Sequence, residues 1–471
     1  MGAEGIRVSS NSALIAKYDV PVPRYTSYPT VPYWENNITS DSWLSSVNTT
    51  LKPDDAAWAL YLHIPYCETL CTFCGCNTVI TKDHKKENNY VDLILREWAL
   101  YKEKAPALMQ RKLKHLHLGG GTPTFLSAEN LTALLKPLLA DAVRDAEFEA
   151  SIEVDPRRTD FKQLAALYEL GFRRVSMGVQ DFNYEVQRLV NRIQPYDITE
   201  KLVTESRRLG YTSVNFDLIY GLAGQTPASF ADTIEKTIQL APDRIALYSF
   251  ALVPWIKPQH RLFKDEDLPV GHAKRALYEM AREELLAFGY VEIGMDHFAL
   301  KNDGLSLAAK SGTLHRNFMG YTDKKSDLLL GLGVSSISES QDHFHQNEKL
   351  LPAYEEALNK GRIPTHRGHL LNESDLYNRK NILQLITTYK IPLNHEGAAD
   401  AREFLKEPLH DGLEKTFWPG FLLRMRLSNT AQMLRIKGFP CSVTVNWSSS
   451  ILTRPSCSGS FRNSRASAAP S

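Results

Sequence analysis

The chain has 471 residues, 43% apolar and 23% charged, an ordinary soluble composition with length enough for two or three domains and a large core. No apolar run is long enough to span a bilayer and no basic, apolar leader opens the chain, so a cytoplasmic protein without membrane contact is expected. The formal net charge of +1 is uneven: residues 415–471 hold eight Lys or Arg and no acid, leaving 47 basic against 54 acidic residues in 1–414, a net of −7 that argues against nucleic-acid binding by the body.

In chain order, residues 1–50 contain Arg24-Tyr25-Thr26-Ser27-Tyr28-Pro29-Thr30, too aromatic and proline-broken for a helix. This stretch reads as an extended segment covering the active site. From about residue 57 to 255 short apolar or alternating runs recur, each followed by a helical stretch. The predicted strands are Ala57–Ile64, Leu113–Leu118, Phe148–Val154, Arg173–Val179, Ser213–Ile219 and Arg244–Phe250. The predicted helices are Asn88–Ala105, Ala128–Leu139, Phe161–Leu170, Thr199–Leu209 and Phe230–Leu240, the last three with apolar residues three and four apart. Strand alternating with helix over short loops predicts a parallel sheet. Six units are too few for a closed eight-stranded barrel and suit an open, partial (β/α)6 barrel. Residues 270–410 look helical, interrupted at 289–333, where Met295-Asp296-His297-Phe298 and His315-Arg316-Asn317-Phe318 lie. The expected division is a covering segment over 1–50, a barrel over 51–340, a mainly helical domain over 341–414 and an atypical tail over 415–471.

In such a barrel the chemistry gathers at the C-terminal ends of the strands. The first strand leads to Cys67, Cys71, Cys74 and Cys76, four of the chain's six cysteines. A C-x-x-x-C-x-x-C loop can hold three irons of a four-iron cluster and leave the fourth open to a small molecule. A structural zinc site would want a second cysteine pair at a distance, and none exists. A disulfide framework would suit a small secreted domain. The second strand leads to Gly119-Gly120-Gly121-Thr122-Pro123-Thr124, which is neither a P-loop nor a dinucleotide fingerprint. It is either a place where a ligand lies against bare backbone or only a tight turn. The third strand ends at Glu153 and Asp155, the fourth at Gln180 and Asp181, the fifth at Asp217 and Gly221, and the sixth runs into Ala251 and Pro254. Glu153 and Asp155 share a strand face, as pocket groups or helix caps. Asp217 could meet a ribose hydroxyl. His63 could ligate a metal, but a strand histidine is more often core, while His297 and His315 lack ligand spacing. Tyr61, Tyr66 and Phe73 bracket the cysteine loop, to stack on an adenine or to shield a cluster from water.

The cysteine loop on the first unit with the glycine run after the second resembles the radical S-adenosylmethionine superfamily. Arg24–Thr30, Tyr61–Asn77, Gly119–Leu126, Glu153–Pro156, Ser176–Phe182, Asn215–Leu222, Gly294–Ala299 and Leu314–Tyr321 are similar, within it, to the oxygen-independent coproporphyrinogen III oxidase family, over about residues 20 to 390. The resemblance implies that Cys67, Cys71 and Cys74 ligate a [4Fe–4S] cluster and that Cys76 does not. It implies one S-adenosylmethionine against Tyr61, Gly120, Glu153 and Ile337. A second is implied against Phe73, Gly121, Thr122, Gln180, Arg192, Asp217 and Ala251. The implied reaction turns two propionates of coproporphyrinogen III into vinyl groups, giving protoporphyrinogen IX in haem biosynthesis, by way of 5′-deoxyadenosyl radicals. A reducing donor such as flavodoxin or ferredoxin and a monomeric state go with it. Four substrate carboxylates call for cationic side chains, with Arg24 a candidate. No residue is assigned to proton transfer.

Beyond about Glu414 the resemblance ends. A shifted reading frame and a disordered basic tail are the two accounts, and the apolar run Phe417–Leu423 favours the first. The rival functions are a haem-binding chaperone of the same superfamily, expected to lack Cys76 and the Arg24–Thr30 segment, and an inactive paralogue.

Overall fold

The computed structural model describes residues 26–390, together with a strand pair of Gln432–Met433 and Thr444–Val445. Arg24, the 391–414 part of the expected helical domain and the rest of the tail lie outside the described residues.

All six predicted strands form. They are β1 (Ala57–Ile64), β2 (Lys112–Gly120), β3 (Val143–Val154), β4 (Phe172–Gln180), β5 (Ser213–Tyr220) and β6 (Arg244–Ser249). The five predicted helices form beside them as α2 (Lys86–Lys104), α3 (Ala128–Asp141), α4 (Phe161–Glu169), α6 (Tyr196–Leu209) and α7 (Pro227–Leu240), preceded by α1 (Ser40–Thr50). A short further helix, α5 (Tyr184–Leu189), follows β4. Local chemistry sets several starts: Thr39, Asp160 and Thr226 each close a capping box at the head of α1, α4 and α7.

The region 289–333 is richer than an interruption. After α8 (Gly271–Phe288) come β7 (Tyr290–Glu292), β8 (His297–Leu300), α9 (Gly304–Ser311), a hairpin of β9 (His315–Asn317) and β10 (Gly320–Thr322), and β11 (Leu328–Leu332). β11 pairs parallel to β1, so seven parallel strands stand side by side. The chain continues through β12 (Ile337–Glu339), β13 (His343–Gln346), α10 (Leu351–Asn359), β14 (Arg367–Leu370) and α11 (Glu373–Thr388). The sheet order is β14-β13-β12-β11-β1-β2-β3-β4-β5-β6-β8-β7, and its two ends do not pair, so the barrel stays open.

Side-chain alternation explains the layers. Leu113, Leu116 and Leu118 of β2, Ile152 and Val154 of β3, Val175, Met177 and Val179 of β4 and Val214, Phe216 and Leu218 of β5 are all buried in one core. The intervening residues His115, His117, Glu149, Ser151, Glu153, Arg174, Ser176, Asn215 and Asp217 line the barrel interior. The apolar layer therefore lies between sheet and helices, and the interior is polar. The segment before α1 packs as a cover: Tyr28 is buried with Met295, Ile382 and Ile386, and Trp34 stacks on Phe344 at 4.9 Å.

Candidate active site

The cysteine loop is pinned at both ends by backbone. Beyond β1, Tyr66–Cys67 pairs parallel with Val79–Ile80, Val79 N donates to Pro65 O at 2.8 Å and Thr81 N donates to Cys67 O at 2.9 Å. The glycine run after β2 lies against the same backbone: Gly121 N donates to Ile64 O at 2.8 Å and Thr122 N to Tyr66 O at 2.9 Å. A Cβ on Gly121 would fall 2.7–2.8 Å from Pro65 and Tyr66 backbone atoms. Gly120 has φ of +116°, and a Cβ there would meet the His63 ring. Gly120 and Gly121 thus form a ledge on which only glycine fits.

Within the loop Cys71 is buried, Cys67 and Cys74 are half-buried and Cys76 is exposed. The Cys67 Sγ lies 3.3 Å from Thr122 Oγ1. Two guanidinium groups reach the Cys71 sulfur, Arg157 at 3.8 Å and Arg192 at 3.7 Å. Both are held by Asp155, whose Oδ2 accepts from Arg157 Nη2 at 2.7 Å and from Arg192 Nη1 at 3.0 Å. Those two cations and the bonds from Arg157 outweigh burial and hold the Asp155 carboxyl down at about 2. Cationic N–H groups on a cluster sulfur are a protein's means of tuning a cluster's potential. Arg192 also donates to Gly178 O at 2.6 Å, and its buried Nε has no partner. Burial pushes the Cys67 thiol up to about 11 in the bare chain, and metal binding would deprotonate it outright. Among the described residues no three His, Cys, Asp or Glu converge on a single-ion site.

Glu153 stands at the top of β3. Its Oε2 accepts from Gly120 N at 3.2 Å, and His117 Nε2 lies 3.4 Å from its Oε1. Ser151 Oγ joins His117 Nδ1 at 2.7 Å and His115 Nε2 at 2.9 Å. Tyr61 stacks on His117 at 6.0 Å, and its hydroxyl lies 3.1 Å from His63 Nδ1. Burial pulls His63 below the usual histidine range, so it is a neutral residue of this wall. Asp217 accepts from Ser176 Oγ at 3.1 Å and Asn215 Nδ2 at 3.0 Å. Burial first, and then the Glu153 charge, push its carboxyl up to about 7. Glu153 and Asp217 look into one cavity of about 830 Å³, counted with the space open to solvent.

The remaining site candidates fall on the same rim. Gln180 ends β4 in the left-handed region, φ 69°, and its Nε2 approaches Gly178 beside Arg192. Phe73 joins Phe250, the residue before Ala251, in a satellite cluster with Val186, Val190 and Leu222. Ile337 opens β12 over Gly331, where a Cβ would lie 2.6 Å from Ile337 O. Sequence reasoning passed over Arg157, the Ser151 link between the two histidines, and the bonds from Lys257 Nζ to Cys76 O (2.8 Å) and Gln259 Nε2 to Cys74 O (2.9 Å). The strict alternation His115, His117 against Glu149, Ser151, Glu153 was the available signal for the second of these.

A family model for the radical SAM superfamily matches residues 61–237. Oxygen-independent coproporphyrinogen III oxidase of Escherichia coli strain K12 is 41% identical over 379 residues, 80% of this chain and 82% of that relative. Its namesake in Pseudomonas aeruginosa is 40% identical over 400 residues, 84% of this chain and 86% of its own. Among solved structures, coproporphyrinogen III oxidase from Escherichia coli, described as a radical SAM enzyme, matches with a TM-score of 0.78 at 39% identity, covering 83% of this chain and 91% of its own.

Proposed function

We infer the function from site and kinship together: the chain belongs to the oxygen-independent coproporphyrinogen III oxidase family, and it converts two propionates of coproporphyrinogen III to vinyl groups without oxygen. The observation that carries this reading is the three-thiol loop seated on a ledge that admits only glycine, with two guanidinium groups at the Cys71 sulfur.

In this reading Cys67, Cys71 and Cys74 hold the [4Fe–4S] cluster and Cys76 stays free. When bound and reduced, the cluster with S-adenosylmethionine supplies a carbon radical that removes hydrogen from a propionate, which then loses CO2 and an electron. The chain's own work is binding, orientation and exclusion of water. Gly120 and Gly121 bring bare backbone to the cofactor's polar end, and Glu153 has lone pairs left for an ammonium or a hydroxyl. Tyr61 and Ile337 complete the first cofactor contact. A second S-adenosylmethionine meets Phe73, Gly121, Thr122, Gln180, Arg192, Asp217 and Ala251. The unpartnered Arg192 Nε suits a carboxylate, and Asp217, whose burial favours its protonated form, suits a ribose hydroxyl. Asp155 acts one layer out, aiming Arg157 and Arg192 at Cys71.

A reducing one-electron donor such as flavodoxin or ferredoxin, a monomer and a cytoplasmic location complete the proposal. No helix among the described residues is long and apolar enough to cross a membrane.

The test is an anaerobic assay of reconstituted protein with dithionite, S-adenosylmethionine and coproporphyrinogen III. Protoporphyrinogen together with 5′-deoxyadenosine is the expected result. Stable haem binding by the protein with neither product, despite a loaded cluster, would move the assignment to a haem-binding chaperone.

A further inference from the structure

Three arginines are buried among the described residues: Arg192, Arg244 and Arg316. Arg192 meets Asp155 at 3.0 Å and Arg244 meets Asp303 at 2.8 Å. Arg316, only 5% exposed, meets no acid among the described residues. Its Nε and Nη1 are buried without any hydrogen-bond partner. Its one contact of note is the Tyr321 ring, with Cζ 4.5 Å from the centroid. A guanidinium carries its charge at any physiological pH, and a desolvated charge without a counter-charge is costly. A face of an aromatic ring offsets only part of that cost. The fold therefore maintains a cation whose anion comes from elsewhere.

Its position says from where. Arg316 lies on β9 opposite Tyr321 of β10. That hairpin is flanked on one side by Met295 and Ile386, both bonded to the Tyr321 hydroxyl through their backbones, and at its tip by Trp34 through Phe318. On the other side Asn317 and Tyr321 form part of the cavity wall shared with Glu153 and Asp217. The guanidinium therefore packs on the ring of Tyr321, a residue of the cavity wall. The substrate assigned under the proposed function, on which this inference rests, carries four carboxylates.

We propose that Arg316 is the receiver of one substrate propionate, pairing with its carboxylate and so fixing how the macrocycle sits over the radical source. It is a positioning residue, not a participant in bond breaking. Two guanidinium nitrogens, Nε and Nη1, are left to donate, and the contact with the Tyr321 ring suits a planar cation that lysine could only half reproduce.

The experiment compares wild type, Arg316→Lys and Arg316→Met as reconstituted full-length proteins. The measured quantities are KM and kcat for coproporphyrinogen III, the Kd for S-adenosylmethionine, and thermal stability. The expected result is a KM raised roughly 10- to 100-fold in R316M, from loss of one charge-assisted contact. R316K should recover part of it, and the Kd for S-adenosylmethionine should stay within about twofold, a change too small to reflect a lost contact. An R316M protein with unchanged KM, whatever its stability, overturns the proposal. Should R316M fail to fold, R316K decides alone: a KM equal to that of wild type overturns the proposal. Wild-type protein that does not turn over coproporphyrinogen III at all instead overturns the functional reading beneath it.

Discussion

Glu97, on α2, is fully buried, and its carboxylate takes three donors: Gly333 N at 2.8 Å, Asn347 Nδ2 at 2.6 Å and the Tyr354 hydroxyl at 2.5 Å. It thereby holds the turn between β11 and β12 that delivers Ile337 to the rim. Burial outweighs those three bonds and raises its carboxyl from the usual 4.5 to about 7. The sign follows from linkage. The folded state binds the proton more tightly than the unfolded chain, so this group's contribution is most favourable below pH 4.5 and declines as pH rises to about 7, then levels off. A rise of 2.5 units at about 1.4 kcal/mol each gives about 3 kcal/mol. Glutamine keeps the volume and cannot ionise. The stability of wild type relative to Glu97→Gln should therefore fall by about 3 kcal/mol between pH 4.5 and 8. Urea unfolding of the cluster-free proteins at pH 5, 6, 7 and 8 measures it. Parallel pH profiles for the two proteins would refute the argument. Glu97→Ala is the contrast: it strands three buried donors, so it should be less stable than Glu97→Gln by an amount that does not vary over these pH values, about 3 kcal/mol.

Serine at Cys67, Cys71 or Cys74 should abolish iron loading and the visible absorption of the reconstituted protein, whereas Cys76→Ser should load iron like wild type; equal loss in all four would place Cys76 among the ligands. Gly121→Ala drives a Cβ into Pro65 and Tyr66 backbone, so it should lower cluster occupancy and S-adenosylmethionine affinity at least tenfold, read by iron analysis and calorimetry. Asp155→Asn removes a carboxylate whose pKa is depressed from 3.8 to about 2, so it should cost about 2 kcal/mol at pH 7. That term is present in wild type above about pH 4 and lost as pH falls through 2. An unchanged urea midpoint for D155N would show that the two arginines hold their places without it.

The repeating units were legible because their residues satisfy two periods at once. β4 shows it: Val175, Met177 and Val179 face the helices while Arg174, Ser176 and Gln180 alternate with them. The rim positions followed from where each strand stops. What escaped was less periodic. β11 is an unbroken apolar run, Leu328–Leu332, buried on both faces, and such a run between lysines and glycines does not distinguish strand from buried helix. The β9–β10 hairpin has only three residues a side and draws its stability from Trp34, Met295 and α11, contacts distant in sequence. Arg316 could be quoted from the sequence as part of a motif, but its lack of an acid partner among the described residues is a property of three dimensions alone.

The polar interior binds stability and chemistry together. Each of β2 to β5 presents apolar residues to the helices and His, Ser, Glu, Asn or Asp to the cavity. A slip of one residue in any of them would carry charges such as Glu149 and Glu153 into the apolar layer. The register that buries Ile152 and Val154 is therefore the register that aims Glu153 at Gly120, and the sheet cannot keep its core while misplacing the site. The cysteine loop has no such guarantee. It lies beyond β1, tied by Gly121, Thr122, Val79 and Thr81 backbone bonds and by the side chains of Lys257 and Gln259. Substitutions on the ledge should consequently damage cofactor loading before they damage folding, whereas substitutions at Glu97 should act in the opposite order. Iron content and urea midpoint measured on the same set of variants separate the two classes, and a G121A protein that unfolds as early as E97A while keeping its iron would contradict this division of labour.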